Sequence, residues 1–275
     1  MMNDMSLKAK VRNIAKEKKI SAQAVLQNYL MRRFLFRLSK TEYREKFVVK
    51  GGMLISSIVG VEQRATMDID TTLRNLPLTE ESICMAFEKI CSVECDDGLE
   101  FGLDSIGPIR DDDEYGGYRV GFHAKFGKIN APMSMDVSTG DIITPGARKY
   151  IFSDMFNEDD NFELWTYTVE TILAEKVETI LSRGIDNTRP RDFYDICVLS
   201  AYEYDKSIFL KALEATSKHR GSYEKIADYS GILSLIESDV VMQNRWKAYA
   251  SEMTYAKNIS FEETIMAVKA LCGAH

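Results

Sequence analysis

Long apolar runs, histidine and paired cysteine motifs are what this chain of 275 residues has least of. Its longest apolar stretch, Met53 to Val61, is broken by Ser56 and Ser57 and falls far short of the roughly 20 residues that span a bilayer. No membrane partner is expected. The first residues, MMNDMSLKAK, carry no apolar segment of the secretory type, and the five cysteines are odd in number with no CxxC pair. Both features predict a reducing, cytoplasmic setting. With three histidines and no HExxH, a zinc hydrolase is disfavoured, and Cys91 and Cys95 lack the further ligands that a zinc site needs. The absence of GxxxxGK(S/T) and GxSxG removes P-loop nucleotide hydrolases and α/β-hydrolases. Only 16 glycines and 5 prolines are present, too few for a collagen-like or linker-like chain. No repeat and no low-complexity tract interrupts the sequence.

What is present is enough apolar residue, 45% of the chain, to bury a full core in one large domain or two intimate ones. The net charge of −7 is unevenly placed. Residues 1–50 hold 13 Lys and Arg against 4 Asp and Glu, so that segment is +9 and the remainder is −16. A basic segment on an acidic body can hold a polyanion locally although the total is negative. A solvated helical face rich in lysine would look the same.

Apolar spacing predicts helix over residues 7–38, with Ser21 as an N-cap for its second piece. FVVKGG (47–52) reads as a short strand ending in two glycines, with a helix opening directly off it at Met53–Val59. Met67–Leu73 alternates as a strand, and a helix follows at Glu80–Cys91. Further β-type segments are expected near Glu100–Ile106, Tyr118–Phe126, Ser134–Val137 and Asp141–Ile143. The DDDE run at 111–114 reads as an exposed turn, and helical periodicity dominates from Thr168 onward. The expected division is a core over 1–165, with the basic helical segment at its start, and a helical lobe over 166–275.

Asp68 and Asp70 are two apart in a strand-like run, so both carboxylates leave one face while Ile69 leaves the other. A pair of this kind is a grip for Mg²⁺, which takes hard oxygen ligands. In Ser134-Met135-Asp136-Val137-Ser138 the apolar residues face one way and Asp136 the other, so an adjacent strand would bring a third carboxylate alongside. Three such groups suit two metal ions and an in-line phosphoryl displacement. On the helix Thr168–Arg183, Lys176 falls within the apolar stripe of Val169, Ile172, Leu173, Val177 and Ile180. An inward lysine needs an anionic partner, either phosphate or a carboxylate. Asp192 follows Pro190, which suits the first helical position, and shares a face with Ile196 and Leu199. Gly51-Gly52 would let a helix N-terminus approach phosphate closely, although such a pair also serves plain turn geometry.

Taken in order, Lys50-Gly51-Gly52, Arg64-Ala65-Thr66-Met67-Asp68-Ile69-Asp70, Met135-Asp136-Val137-Ser138, Glu175-Lys176 and Arg191-Asp192-Phe193-Tyr194-Asp195 resemble the AbiEii/AbiGii nucleotidyltransferase toxins of the polymerase-β-like superfamily, over about residues 47–200. The resemblance implies an α+β fold, with a small mixed sheet, flanking helices and a helical C-terminal lobe. It implies Asp68, Asp70 and Asp136 as metal and catalytic carboxylates for Mg²⁺ or Mn²⁺. It implies Lys176 as the triphosphate-binding lysine, with Asp192 as its partner or an aid to activating the acceptor. Lys50, Gly51, Gly52, Arg64, Thr66 and Arg191 are the remaining expected nucleotide contacts. The implied activity is transfer of a nucleoside monophosphate from an NTP to RNA, at a tRNA 3′ end, in a toxin–antitoxin or abortive-infection setting with a cognate antitoxin. The alternatives are an aminoglycoside-type small-molecule transferase and a non-catalytic nucleotide-binding regulator. The superfamily's Gly-Ser after the first strand is here Gly51-Gly52-Met53, which leaves the phosphate cradle to backbone amides or to Thr66.

Overall fold

Strict alternation of apolar and polar residues along 118–139 produces two long antiparallel strands, and the sheet is assembled outward from them. The structure is a computed structural model that describes residues 3–109, 116–156 and 160–273. The DDDE run at 111–114 lies outside the described residues. The strands are β1 (Phe47–Lys50), β2 (Asp68–Leu73), β3 (Glu100–Pro108), β4 (Tyr118–Phe126), β5 (Ile129–Thr139), β6 (Arg148–Phe152) and β7 (Phe162–Thr166). They form one mixed sheet in the order β3-β4-β5-β2-β1-β7-β6, with β2 parallel to β5, β1 parallel to β7, and the other pairs antiparallel.

The chain forms two compact units, Met1–Asp141 with Arg148–Thr166, and Ile142–Ala147 with Tyr167–His275. The first contains the sheet and helices α1 (Asp4–Lys18), α2 (Ala22–Ser39), α3 (Gly51–Val59) and α4 (Glu80–Cys91). The helical segment over 7–38 comes in two pieces as expected: Lys19 takes a left-handed conformation (φ 55°) and Ser21 caps the second piece by accepting from the Ala24 amide at 3.1 Å. Buried on nearly every side, α2 is a core helix. Its Phe34 meets Phe87 of α4, Phe101 of β3 and Phe122 of β4 at centroid distances of 5.4, 5.5 and 4.4 Å. Ile69, Val120, Phe122, Met133, Met135 and Val137 supply the buried face of the sheet. Each such side chain, fully buried, contributes about 1.5–3 kcal/mol relative to exposure.

The second unit is helical: α5 (Val169–Arg183), α6 (Pro190–Leu199), α7 (Lys206–His219), α8 (Tyr229–Ser238), α9 (Val240–Glu252) and α10 (Phe261–Cys272). Pro190 is the first residue of α6, and Thr168 and Ser260 cap α5 and α10. Among the described residues, no helix is long and apolar enough to cross a membrane.

Two expectations need correction. Asp141–Ile143 is not a strand, since β5 already ends at Thr139 and Gly140 follows with φ 85°. Strands β6 and β7 were not anticipated. β7 owes its place to a short parallel pairing with β1, Val48 with Trp165 and Val49 with Thr166, which is a long-range contact that leaves little local trace.

Part of the N-terminal basic excess is internal. Arg33 and Arg37 are 4% and 1% exposed. Arg37 grips both oxygens of Asp97 at 2.7 and 3.0 Å, and Arg33 reaches Asp97 at 2.7 Å and Asp154 and Asp160 at 3.2 Å each. Burial pushes the Asp97 carboxyl up, but the two guanidiniums and the Leu99 amide outweigh it and hold the carboxyl below its ordinary value. The exposed cations of this segment lie chiefly on α1, where Lys8, Lys10, Arg12 and Lys16 face solvent.

Candidate active site

Because β2 and β5 are parallel neighbours with Asp70 opposite Asp136, these two side chains leave the sheet on the same face, about 4.8 Å apart along the hydrogen-bonding direction. Asp68, one pleat along, lies opposite Ser134, whose hydroxyl donates to Asp68 Oδ1. The three predicted carboxylates therefore share the face of the sheet opposite the apolar core. On β1, Lys50 is the register partner of Asp70, and on β4, Arg119 is the partner of Asp136. One row across the face thus reads Arg119, Asp136, Asp70, Lys50, with two carboxylates between two cations.

Each cation has its own hold. Arg119 lies fork-to-fork on Asp136, with Nε and Nη2 each donating at 2.7 Å to a different oxygen. Lys50 donates to Ser138 Oγ at 2.9 Å and to Asp141 Oδ2 at 2.5 Å. Sequence reasoning missed Arg119 and Asp141. Arg119 belongs to no motif, and its signal is only its phase in the β4 alternation, opposite to Val120 and Phe122.

The glycine pair has a physical account of its own. Gly51 is left-handed (φ 61°), and a Cβ there would sit 2.6 Å from Asp70 Cγ. A Cβ on Gly52 would sit 2.6 Å from Thr66 Oγ1. Both positions must lack a side chain so that β2 can pass close to the start of α3. Gly52 N–H donates to Asp70 Oδ2 at 3.1 Å, so Asp70 caps the α3 N-terminus from the neighbouring strand, where the helix dipole favours negative charge. The amide expected to cradle phosphate is engaged by this carboxylate. Thr66 and Arg64 are 8% and 3% exposed, and Arg64 donates to its neighbour's carbonyl at Ala65. The structure thus brings Gly51, Gly52, Arg64, Thr66 and Asp70 together around the start of α3.

In the helical unit, Lys176 of α5 is clamped by two carboxylates of α6, Asp192 Oδ1 at 2.6 Å and Asp195 Oδ2 at 2.8 Å. Asp192 also receives Arg189 Nε at 3.3 Å. Burial pushes the Asp192 carboxyl up, but Lys176 and then Arg189 outweigh it, and its pKa is held below the ordinary value. Sequence reasoning anticipated the Lys176–Asp192 partnership and missed Asp195, which is one helical turn further on and 0% exposed. Arg191 is exposed, and its charge also helps to lower the Asp192 pKa.

The mixed sheet thus presents three carboxylates on one face beside a glycine turn and the N-terminus of α3. The family model for the nucleotidyl transferase AbiEii toxin of type IV toxin–antitoxin systems matches residues 33–267, and the chain belongs to that family. Among solved structures, JHP933 from Helicobacter pylori is similar at 17% identity, covering 92% of this chain and 91% of its own, with a TM-score of 0.48. An antigenic nucleotidyltransferase-like protein from Paracoccidioides brasiliensis is similar at 13% identity, covering 73% of this chain and 91% of its own, with a TM-score of 0.43. No curated protein matches the chain.

The donor set suits a divalent cation in its chemistry: Asp68, Asp70 and Asp136 offer hard oxygens from one face of adjacent strands. Among the described residues, however, no three acidic, thiol or imidazole side chains stand gathered as a metal-holding group. Asp70 is turned to the Gly52 amide, and both oxygens of Asp136 are taken by Arg119. The oxygens are of the kind such an ion takes, but the three carboxylates as placed are not gathered around one point, and Arg119 holds both oxygens of Asp136.

Proposed function

We propose that this nucleotidyltransferase moves a nucleoside monophosphate from an NTP to an RNA hydroxyl, with a tRNA 3′ end as acceptor, and that the resulting block on translation makes it a toxin held in check by a cognate antitoxin in phage abortive infection. The observation that carries the reading is the register of Asp70 against Asp136, with Asp68 one pleat along and the glycine turn beside them. Asp68, Asp70 and Asp136 would hold Mg²⁺ or Mn²⁺, which supplies Lewis acidity at phosphate and lowers the pKa of the attacking hydroxyl. In the transfer itself, the acceptor hydroxyl oxygen bonds to the α-phosphorus and gives up its proton to solvent, the bond from the α-phosphorus to the oxygen bridging to the β-phosphate breaks, and pyrophosphate leaves with that electron pair. Thr66 and Arg64 border the same turn and are the proposed nucleotide contacts there. Lys176, backed by Asp192, is the proposed triphosphate cation, with Arg191 as a further nucleotide contact.

The exposed lysines of α1 favour RNA over an aminoglycoside, since a small polycation gains nothing from a basic helix. Reversing charge at Lys8, Lys10 and Lys16 is expected to raise the RNA KM and to flatten its salt dependence by roughly 0.7 in the log–log slope for each single-strand phosphate that the helix no longer neutralises. The NTP KM stays the same. Arg33 and Arg37 are unsuitable for this test because they hold the fold. The direct experiment supplies each α-³²P NTP with Mg²⁺ and either total cellular RNA or an aminoglycoside. A labelled band of tRNA size is expected with at least one NTP. Label on the aminoglycoside alone would replace the RNA reading, and no label anywhere would leave only nucleotide binding.

A further inference from the structure

The apolar arc of α8 is wider than the part of it that the helical unit covers. Leu233, Ile236, Ile232 and Leu235 follow one another over about 160° of the helix circumference, against the roughly 100° stripe that one buried face needs. Leu233 and Ile236 are buried. Ile232 and Leu235 instead border a hollow of about 650 Å³ beside the end of α5, the turn at Gly184–Asp186 and the start of α9. Leu235 is 65% exposed, Ile185 and Val240 of the same lining are 49% and 65% exposed, and the adjacent Val241 is 54% exposed. Four large apolar side chains left in water around one hollow mark an interaction surface.

The charges at the hollow select its cover. Its lining carries Arg183 and Lys225 against Asp186 and Asp239. Asp239 caps α9 by accepting from the Met242 amide at 2.8 Å, and among the described residues none of Arg183, Asp186 and Lys225 stands in an ion pair. A polyanion or an anionic membrane would meet as many carboxylates as cations here, so neither is favoured. A second copy of the same patch meets both signs. In a twofold contact residue i of one copy meets residue j of the other and j meets i, so a patch that holds both charges and both an apolar hollow and exposed apolar side chains can be its own complement.

We propose that the chain forms a twofold homodimer through α8 and the start of α9, with Leu235 and Val241 of each copy packing into the hollow of the other and Arg183 facing Asp186 of the partner subunit. None of these residues belongs to the proposed catalytic or nucleotide-binding set, so the inference stands apart from the transferase reading.

The test is sedimentation velocity of the full chain at protein concentrations from about 1 to 100 µM, the range in which a dimer of ordinary affinity dissociates. The wild type is expected to pass from monomer to dimer across that range. Leu235→Asp and, separately, Val241→Asp are expected to weaken dimerisation about 100-fold or more, because each change strikes twice in a twofold contact. Arg183→Glu should also weaken it, and Arg183→Glu combined with Asp186→Arg should restore it. Both apolar positions are exposed, so the variants should keep the wild-type melting temperature at monomeric concentration; if either aspartate variant melts lower, Leu235→Gln serves with the same expected direction. A wild type that stays monomeric at every concentration, or a dimer that survives both apolar variants, would overturn the proposal. Failure of the exchanged charges to restore the dimer would overturn the twofold arrangement.

Discussion

Replacing Asp68 or Asp70 by alanine is expected to lower nucleotide transfer by about 10³-fold or more. A divalent cation contributes several kcal/mol of charge stabilisation in phosphoryl transfer, and about 1.4 kcal/mol corresponds to each factor of ten. The two variants should differ in stability. Asp68 is exposed and bonded to Ser134, so its loss should change stability by no more than about 0.5 kcal/mol. Asp70 accepts from the Gly52 amide at the start of α3, so Asp70→Ala should cost about 1 kcal/mol, the worth of a helix cap. Sequence alone predicts the opposite for Asp70, a level or slightly higher stability from relieved carboxylate repulsion, because the capping interaction is invisible there. Transfer assays on the purified variants, with thermal melts beside them, check both halves. Wild-type activity in both variants would remove these carboxylates from the chemistry.

Lys176→Met is expected to lower stability by about 3–5 kcal/mol, because it removes the ammonium that two buried carboxylates share. At roughly 2–4 °C per kcal/mol, the melting temperature should fall by about 10 °C. The pH dependence has a definite sign. The Asp192 carboxyl is held below its ordinary value, so its share of stability is complete above the unfolded carboxylate pKa of about 3.9 and is lost as pH falls through the folded value. Lys176→Met should flatten that acid limb of the stability curve. Melts from pH 2 to 7, with and without NTP and a divalent cation, separate two roles. A variant that melts lower yet gains fully from nucleotide would make Lys176 architectural, while one that melts at or above wild type and gains little would make triphosphate the main partner of the ammonium.

Local chemistry made much of this legible. The period of two put Asp68 and Asp70 on one face and Asp136 on the polar side of its strand, and the structure has all three so placed. Ser21 as a cap, Pro190 at the first position of α6, and the strand-turn-helix at Gly51-Gly52 follow from backbone preferences that act over a few residues. The helix at Glu80–Cys91 and the strand at Tyr118–Phe126 were likewise readable from periodicity.

What the sequence by itself determined about this protein is therefore where the charged and apolar residues fall and which way each faces on its own element. Only the tertiary structure decided what each of them meets. The basic count of residues 1–50 could not distinguish Arg33 and Arg37, which are consumed by Asp97 and Asp154, from the exposed lysines of α1. No spacing rule connects Arg119 to Asp136, Lys50 to Asp141 or Asp70 to Gly52, because each pairing is set by strand register between segments distant in sequence. The physical reason is one of range: backbone preference and side-chain period act within a turn or a pleat, whereas the choice of a charge's partner is made where separate elements pack, and the energy of a buried or shared carboxylate depends on which cation arrives there.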